Sequence, residues 1–111
     1  MLTHWCRDRR VGEGLPLPWM VRALSSEPAA LFGLRDRGLL QPGMKADVNV
    51  IDFEALACEP PEMRYDLPTG ARRLAQRARG YAYTLLSGEV IREAGVDTGA
   101  RPGRLVRGRG A

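Results

Sequence analysis

Histidine and cysteine are scarce in this sequence, which has one histidine and two cysteines among 111 residues. A metal centre needs several converging ligands, and histidine is the commonest of them. His4 and Asp8 would supply at most half a site on one helical face, and a histidine beside Trp5 is more typical of a packed or solvated side chain. Cys6 and Cys58 stand in no metal-ligand spacing, and we expect both thiols to be reduced. No metal ligand set is predicted in this chain.

Pairs of a nucleophile and a base are equally scarce. Ser87 has no second histidine to activate it, so a Ser–His–Asp arrangement would have to borrow His4 across the whole chain. His4 and Cys6 are two positions apart, and such residues do not face each other on a helix. Asp47 and Asp52 fall at opposite ends of one predicted strand, which favours a turn-capping role for Asp47 over a general base. We therefore expect no catalytic residue here.

Phosphate-binding loops are not indicated either. The segments Gly12-Glu13-Gly14 and Gly108-Arg109-Gly110 lack both the spacing and the strand–turn–helix context of a phosphate cradle. Tyr81 and Tyr83 share one face of a predicted strand and could stack bases. In a half-buried strand, however, this pattern is more typical of a core.

Lysine is nearly absent, since Lys45 is the only one among 17 basic residues, and the formal net charge is +4. The positive excess is a tail, because four arginines without a neighbouring acid lie in the last eleven residues. A solvated tail lying along the protein is expected. A small arginine-rich module that binds nucleic acid or protein is the alternative from a different functional class. The tail arginines are Arg101, Arg104, Arg107 and Arg109.

Long apolar runs are also missing, and none approaches the roughly 20 residues that cross a bilayer. The first ten residues have no apolar stretch of the kind found in signal peptides. The length is that of a single domain. These features predict a cytoplasmic protein, although its opening, which has no helix-capping signal, resembles the middle of a longer chain.

Two short helices are predicted in the first third of the sequence. Prolines at 16 and 18 suit a first helical turn, and an apolar stripe at helical spacing follows them. Ser26-Glu27-Pro28 then interrupts the pattern, and a second helix is predicted over residues 29–34, closing at Gly33. The stripe of the first helix is formed by Trp19, Met20, Ala23 and Leu24.

The pattern changes to that of strands after Gly38. Leu39-Leu40 is predicted as a short extended piece before a type II turn at Pro42-Gly43. Residues 46–52 are rich in β-branched side chains and are predicted as a strand.

The second half is less regular. Residues 53–70 contain three prolines and are interpreted as a linker. Residues 71–79 fit either a helix or an extended chain. Residues 81–86 and 89–92 flank Ser87-Gly88 and predict a two-residue hairpin. We expect residues 39–52 and 81–92 to share one sheet, because isolated strands need partners.

The order of these features resembles the closing segment of the amidohydrolase superfamily. A short helix opening near Pro-Ala, a glycine-bounded turn, an Ala-Asp strand that ends in Asp, and a last hairpin all occur in that order. They lie at residues 24–34 (LSSEPAALFGL), 38–43 (GLLQPG), 45–52 (KADVNVID) and 83–90 (YTLLSGEV). Residues 2–9 (LTHWCRDR) and 98–107 (TGARPGRLVR) resemble the D-aminoacylase branch, the N-acyl-D-amino-acid deacylases.

Two positions depart from the family pattern, and neither touches catalysis. Glu27 stands where the family prefers Asn or Asp as a helix cap, and Ser26 is expected to substitute for it. Ser87 replaces the usual Asn of the hairpin turn.

The resemblance implies a fold and a role for each part of the chain. It implies an α+β fragment in which residues 1–38 are terminal helices of a TIM-type β/α barrel. Residues 39–111 would then be strands of a small β-sandwich, with the linker 53–70. In that family, zinc activates water to attack an amide carbonyl. The histidine motifs that bind the metal do not occur in this sequence.

Further expectations follow from the same resemblance. The partner would be the missing N-terminal barrel portion, in the same or a separate chain, and a small-molecule substrate would bind only the complete enzyme. An accessory subunit that completes a split barrel is a third alternative. Neither nucleic acid nor a membrane is expected as a partner. Apolar side chains of the early helices should be exposed, namely Leu2, Trp5, Trp19, Met20 and Leu24.

Overall fold

The computed structural model describes residues 1–107 and contains three helical segments at the N-terminal end followed by short antiparallel strands. A short 3-10 turn, Pro68–Gly70, interrupts the strands. No helix of the described residues is long and apolar enough to cross a membrane. The helices are a π-helix (Leu2–Asp8), α1 (Leu17–Leu24) and α2 (Ser26–Leu31). The strands are β1 (Val48–Ile51), β2 (Ala57–Cys58), β3 (Glu62–Arg64), β4 (Arg73–Ala75), β5 (Ala78–Arg79), β6 (Tyr81–Leu86), β7 (Glu89–Glu93) and β8 (Val96–Asp97).

Helix α1 forms where the apolar stripe predicted it. Pro18 lies in its first turn, where a missing N–H leaves no hydrogen bond unmade. Met20 is buried at the centre of the apolar arc. The helix ends at Ser25, whose φ of −129° and ψ of −76° are not helical and whose hydroxyl donates to the carbonyl of Val21 at 2.6 Å.

Helix α2 begins three residues earlier than the sequence pattern indicated. Pro28 lies within its first turn instead of separating two helices, because proline is tolerated there. The break between the helices is at Ser25. The expectation that Ser26 caps the helix is wrong, since its hydroxyl lies 3.5 Å from the carbonyl of Arg22 in the preceding turn.

The end of α2 is a Schellman motif around Gly33. Gly33 has a φ of 68°, and its N–H donates to the carbonyl of Ala30 at 3.1 Å. The N–H of Leu34 donates to the carbonyl of Ala29 at 2.8 Å. These two bonds satisfy the carbonyls that a helix end leaves free, which confirms the predicted stop signal.

The chain after α2 turns back against it. A Cβ on Gly38 would lie 2.6 Å from the Cβ of Ala29, so only glycine permits this approach. The prediction of an extended piece at Leu39-Leu40 is wrong, because residues 37–39 form a bend and Leu40 belongs to no strand. The turn at Pro42-Gly43 is confirmed: Gly43 has a φ of 87°, and the residues on either side of the pair are hydrogen-bonded at 3.2 Å.

A four-stranded antiparallel sheet has the order β1-β6-β7-β8. Val48 pairs with Leu85, and Leu86 pairs with Glu89 across the hairpin. The prediction that residues 39–52 and 81–92 share a sheet is therefore confirmed for Val48–Ile51, whereas residues 39–47 lie outside the sheet. Ser87 and Gly88 both have positive φ, 53° and 84°, as a type I′ turn requires.

Strand β8 extends this sheet beyond the predicted hairpin. Ala94 and Gly95 form a second turn with φ angles of 45° and 81°. Val96 then pairs with Glu93 on β7. The sequence hides this turn because alanine, unlike Asn or Gly, does not signal a positive φ.

The interpretation of residues 53–70 as a linker is wrong in part, because β2 and β3 lie inside it. Strand β2 pairs with β5, and β3 pairs with β4, each antiparallel. Residues 71–79 are accordingly extended, so their helical alternative is also wrong. Strands this short carry little sequence signal, and their pairing partners decide their conformation.

The apolar core is small. Among residues 1–107, the buried hydrophobic side chains are Met20, Ala29 and Leu56. Two of them come from the helices, and Leu56 comes from the turn after β1. Leu56 is reached closely by Gly80, where a Cβ would lie 2.6 Å from the Leu56 Cα. The buried residues thus lie at two places, the helix pair with Met20 and Ala29 and the approach of Gly80 to Leu56.

Candidate functional site

The histidine region does not form a metal site. The His4 ring meets Trp5 edge-on, with centroids 5.0 Å apart. Asp8 is held by Arg7, whose Nε and Nη2 donate to its two carboxylate oxygens at 2.7 and 3.0 Å. This ion pair lowers the pKa of the Asp8 carboxyl. Within the described part of the chain, no three His, Cys, Asp or Glu side chains converge to hold a metal ion.

Arg7 instead joins the N-terminal helix to the turn that follows β1. Its guanidinium donates to the backbone carbonyls of Phe53, Glu54 and Leu56, the last two at 2.9 Å each. The same group lies 5.7 Å from the centre of the Phe53 ring. The hydrogen bond to Asp8 raises the pKa of Arg7. Nothing in the sequence pattern distinguishes Arg7 from the other arginines.

An open cleft of about 380 Å³ lies beside this junction. Its charged groups are Arg7, Glu54 and Arg79. The donors of Arg7 already serve three carbonyls and one carboxylate, so this arginine does not offer a free guanidinium to an anion. The cleft is lined by Arg7, Glu54, Ala55, Leu56, Ala57, Arg79 and Gly80.

A second, more apolar groove of about 170 Å³ lies between the first residues, α1 and β5. Leu2, Leu24 and Tyr81 are among its lining residues, and so is Cys58. Cys6 and Cys58 are both free thiols, as expected. The groove has no acid or base beside the thiol, so it offers no nucleophilic pair.

The two aspartates that flank β1 both accept hydrogen bonds from backbone N–H groups. Asp47 accepts a hydrogen bond from the N–H of Ser87 at 2.9 Å, which ties the start of β1 to the hairpin turn. This confirms its predicted turn-capping role. Asp52 accepts from the N–H groups of Glu54 and Ala55, both at 3.1 Å. The structure thus brings Ser87 and Asp47 together, but without a histidine.

A small charged network lies at the same end of the sheet. Arg37 donates to Asp36 at 2.9 Å and lies 3.7 Å from Asp47. Lys45 approaches the other Asp36 oxygen at 3.1 Å. The hydrogen bonds from Arg37 and then Lys45 hold the pKa of Asp36 well below its usual range. These pairs fasten the residue 35–47 segment to the hairpin.

The remaining candidates from the sequence are the two glycine segments and the two tyrosines of β6. An ideal Cβ on Gly14 would lie 3.3 Å from the carbonyl oxygen of Cys6. Glycine at this position therefore allows two backbone segments to approach closely. Gly12 has a φ of 74° beside Arg9. Gly108-Arg109-Gly110 lies outside the described residues. Tyr83 is more exposed than Tyr81.

The arginine tail is in part paired. Arg101 donates to both oxygens of Asp97, at 2.9 and 3.1 Å, and this bond lowers the pKa of Asp97. An ideal Cβ on Gly103 would lie 3.4 Å from Leu86, so the chain there runs along the sheet. Arg104 and Arg107 are exposed. Arg109 lies outside the described residues.

The comparison with known families assigns the chain to a class. The model of the amidohydrolase family matches residues 1–92, which is well over half of the chain. The chain belongs to the amidohydrolase family.

Curated relatives carry a narrower name. A dihydroorotase of Geobacter metallireducens is 34% identical over 85 residues, which are 75% of this chain and 20% of the relative. Dihydroorotases of Lactobacillus gasseri and Lactobacillus acidophilus are 35% and 52% identical over 54 and 31 residues, covering 12% and 7% of their lengths. The chain therefore spans a fifth or less of the relatives it matches. No solved structure matches.

Proposed function

We propose that this chain is the C-terminal part of a metal-dependent amidohydrolase that hydrolyses the amide C–N bond of N-acyl-D-amino-acid-like substrates. The observation that carries the proposal is the family match over residues 1–92, together with the short span that the chain covers in its relatives. The choice of substrate rests on residues 2–9 and 98–107, which resemble the N-acyl-D-amino-acid deacylases.

The same proposal assigns an architecture. Residues 1–38 would be the last helices of a TIM-type barrel, and residues 39–111 would be strands of a small β-sandwich. The observed order of helices followed by antiparallel strands supports this assignment. The open apolar sides of the helices support it as well, because barrel helices bury those sides against strands.

The metal of the family does not fit the residues of this chain. No converging set of three ligands exists among residues 1–107, and Asp8 is occupied by Arg7. Zinc and the water that it activates would belong to the rest of the enzyme. In the proposal, this chain contributes structure, and we expect it to be inactive alone.

The dihydroorotase relatives favour a second candidate substrate. Their name denotes enzymes that act on dihydroorotate, and the match to the Geobacter metallireducens protein covers three quarters of this chain. Both candidates are hydrolyses of a C–N bond, so the family match does not separate them.

The test uses the 111-residue chain alone and together with the polypeptide that its own genome encodes immediately upstream of Met1. Hydrolysis of N-acetyl-D-methionine, N-acetyl-L-methionine and dihydroorotate is measured for each, and bound zinc is quantified. We expect activity and zinc only when both parts are present, with the D-isomer preferred. Hydrolysis by the metal-loaded chain alone would refute the proposal, and a preference for dihydroorotate would replace its substrate. Whether the two parts form one polypeptide or two decides between a C-terminal segment and an accessory subunit.

A further inference from the structure

We draw no further inference here: the strongest candidate, the exposed apolar pair of Met63 and Leu74 on the β3–β4 hairpin, carries nothing, because the described residues leave this face unpartnered and nothing in the structure shows what covers it.

Discussion

The helical region, residues 1–38, and the strand region, residues 48–97, can be compared in two respects. These are the pairing of backbone hydrogen bonds and the burial of apolar side chains. The strands find hydrogen-bond partners within the chain: β6 pairs on one side with β1 and on the other with β7. Helix α2 also satisfies carbonyls at its C-terminal end through the Gly33 motif. Apolar side chains remain exposed in both regions, as Leu31 at 82% and Val96 at 70% show.

The comparison shows which interactions a short segment can complete with its own neighbours in the sequence. A hairpin closes its hydrogen bonds with residues a few positions away, so a short chain completes them. Burying apolar side chains requires volume on every side of them, and the described residues, 1–107, supply it to three hydrophobic side chains. The junction of the two regions, at Arg7, Leu56 and Gly80, is where the chain comes closest to a core of its own.

The largest expected effect on the free energy of unfolding comes from adding a methyl group at Gly80, where the chain passes close to Leu56. In Gly80→Ala the new Cβ would lie 2.6 Å from the Cα and 2.7 Å from the nitrogen of Leu56. Backbone atoms cannot yield as a flexible side chain does, and Gly80 has a φ of 93°. We expect a loss of about 3 kcal/mol in the free energy of unfolding, from strain and displacement of Leu56. Urea unfolding followed by circular dichroism measures it.

The control for this change is Gly95→Ala. Gly95 has a similar φ of 81°, but an added Cβ meets nothing within 4 Å. Only the cost of the left-handed backbone, about 1 kcal/mol, should appear. Equal losses in the two variants would show that the close approach of Gly80 to Leu56 contributes nothing.

Separating the two regions at Arg7 should have the next largest effect. Arg7→Lys keeps the charge but loses the planar group that reaches the carbonyls of Glu54 and Leu56 together. We expect a loss in the free energy of unfolding that is smaller than that of Gly80→Ala, because hydrogen bonds to a charged group are left unmade. Arg10→Lys, at an exposed site nearby, is the control. A loss for Arg10→Lys as large as that for Arg7→Lys would contradict the joining role.

Acid should weaken both regions. Arg37 lowers the pKa of Asp36 in the helical region, and Arg101 lowers that of Asp97 at the end of β8. A carboxyl whose pKa is lower in the folded state stabilises that state above its unfolded pKa, about 3.9. We therefore expect the urea midpoint to be steady near neutral pH and to fall as the pH drops through and below about 4.

Two single variants assign this acid sensitivity to the regions. Asp36→Asn and Asp97→Asn should each reduce the fall of the urea midpoint below pH 4, roughly as the linkage of one carboxyl requires. The measurement is a series of urea curves between pH 3 and pH 7, a range chosen to bracket the unfolded pKa of about 3.9. Both variants following the parent chain over this range would exclude these ion pairs as the source.

The smallest effect is a gain. Ser87→Asn and Ala94→Asn place, at the φ angles of 53° and 45°, a residue that adopts the left-handed region readily. Each should raise the free energy of unfolding by about 0.5 kcal/mol. Ser26→Asn, within α2, is the control and should bring no gain, since asparagine has no advantage inside a helix. A gain confined to Ser26→Asn would contradict the turn assignment.

The elements with strong local signals were predictable. Helix α1, the Gly33 stop, the Pro42-Gly43 turn and the Ser87-Gly88 hairpin each rest on residues a few positions apart. Strands β2 to β5 and β8 were not, because two- and three-residue strands are specified by what they pair with. The prediction of an extended piece at Leu39-Leu40 failed for a related reason, since the preceding Gly38 lies against Ala29, nine positions earlier.

The residues of the candidate site also fall into those that the sequence predicted and those that it did not. That this chain carries no catalytic or metal-binding residue stays a prediction from its histidine content. The sequence also predicted that Asp47 caps a turn, but not that this turn is the hairpin at Ser87, 40 positions away. Arg7 was invisible, since its partners lie 46 to 49 positions away. The sequence by itself determined the family, the helix stop at Gly33 and the turns at Pro42-Gly43 and Ser87-Gly88, all of which depend on residues close together in the chain. The tertiary structure decided the junction at Arg7 and Gly80, the pairing of the short strands and the uncovered helix pair, because each depends on contacts between residues distant along the chain.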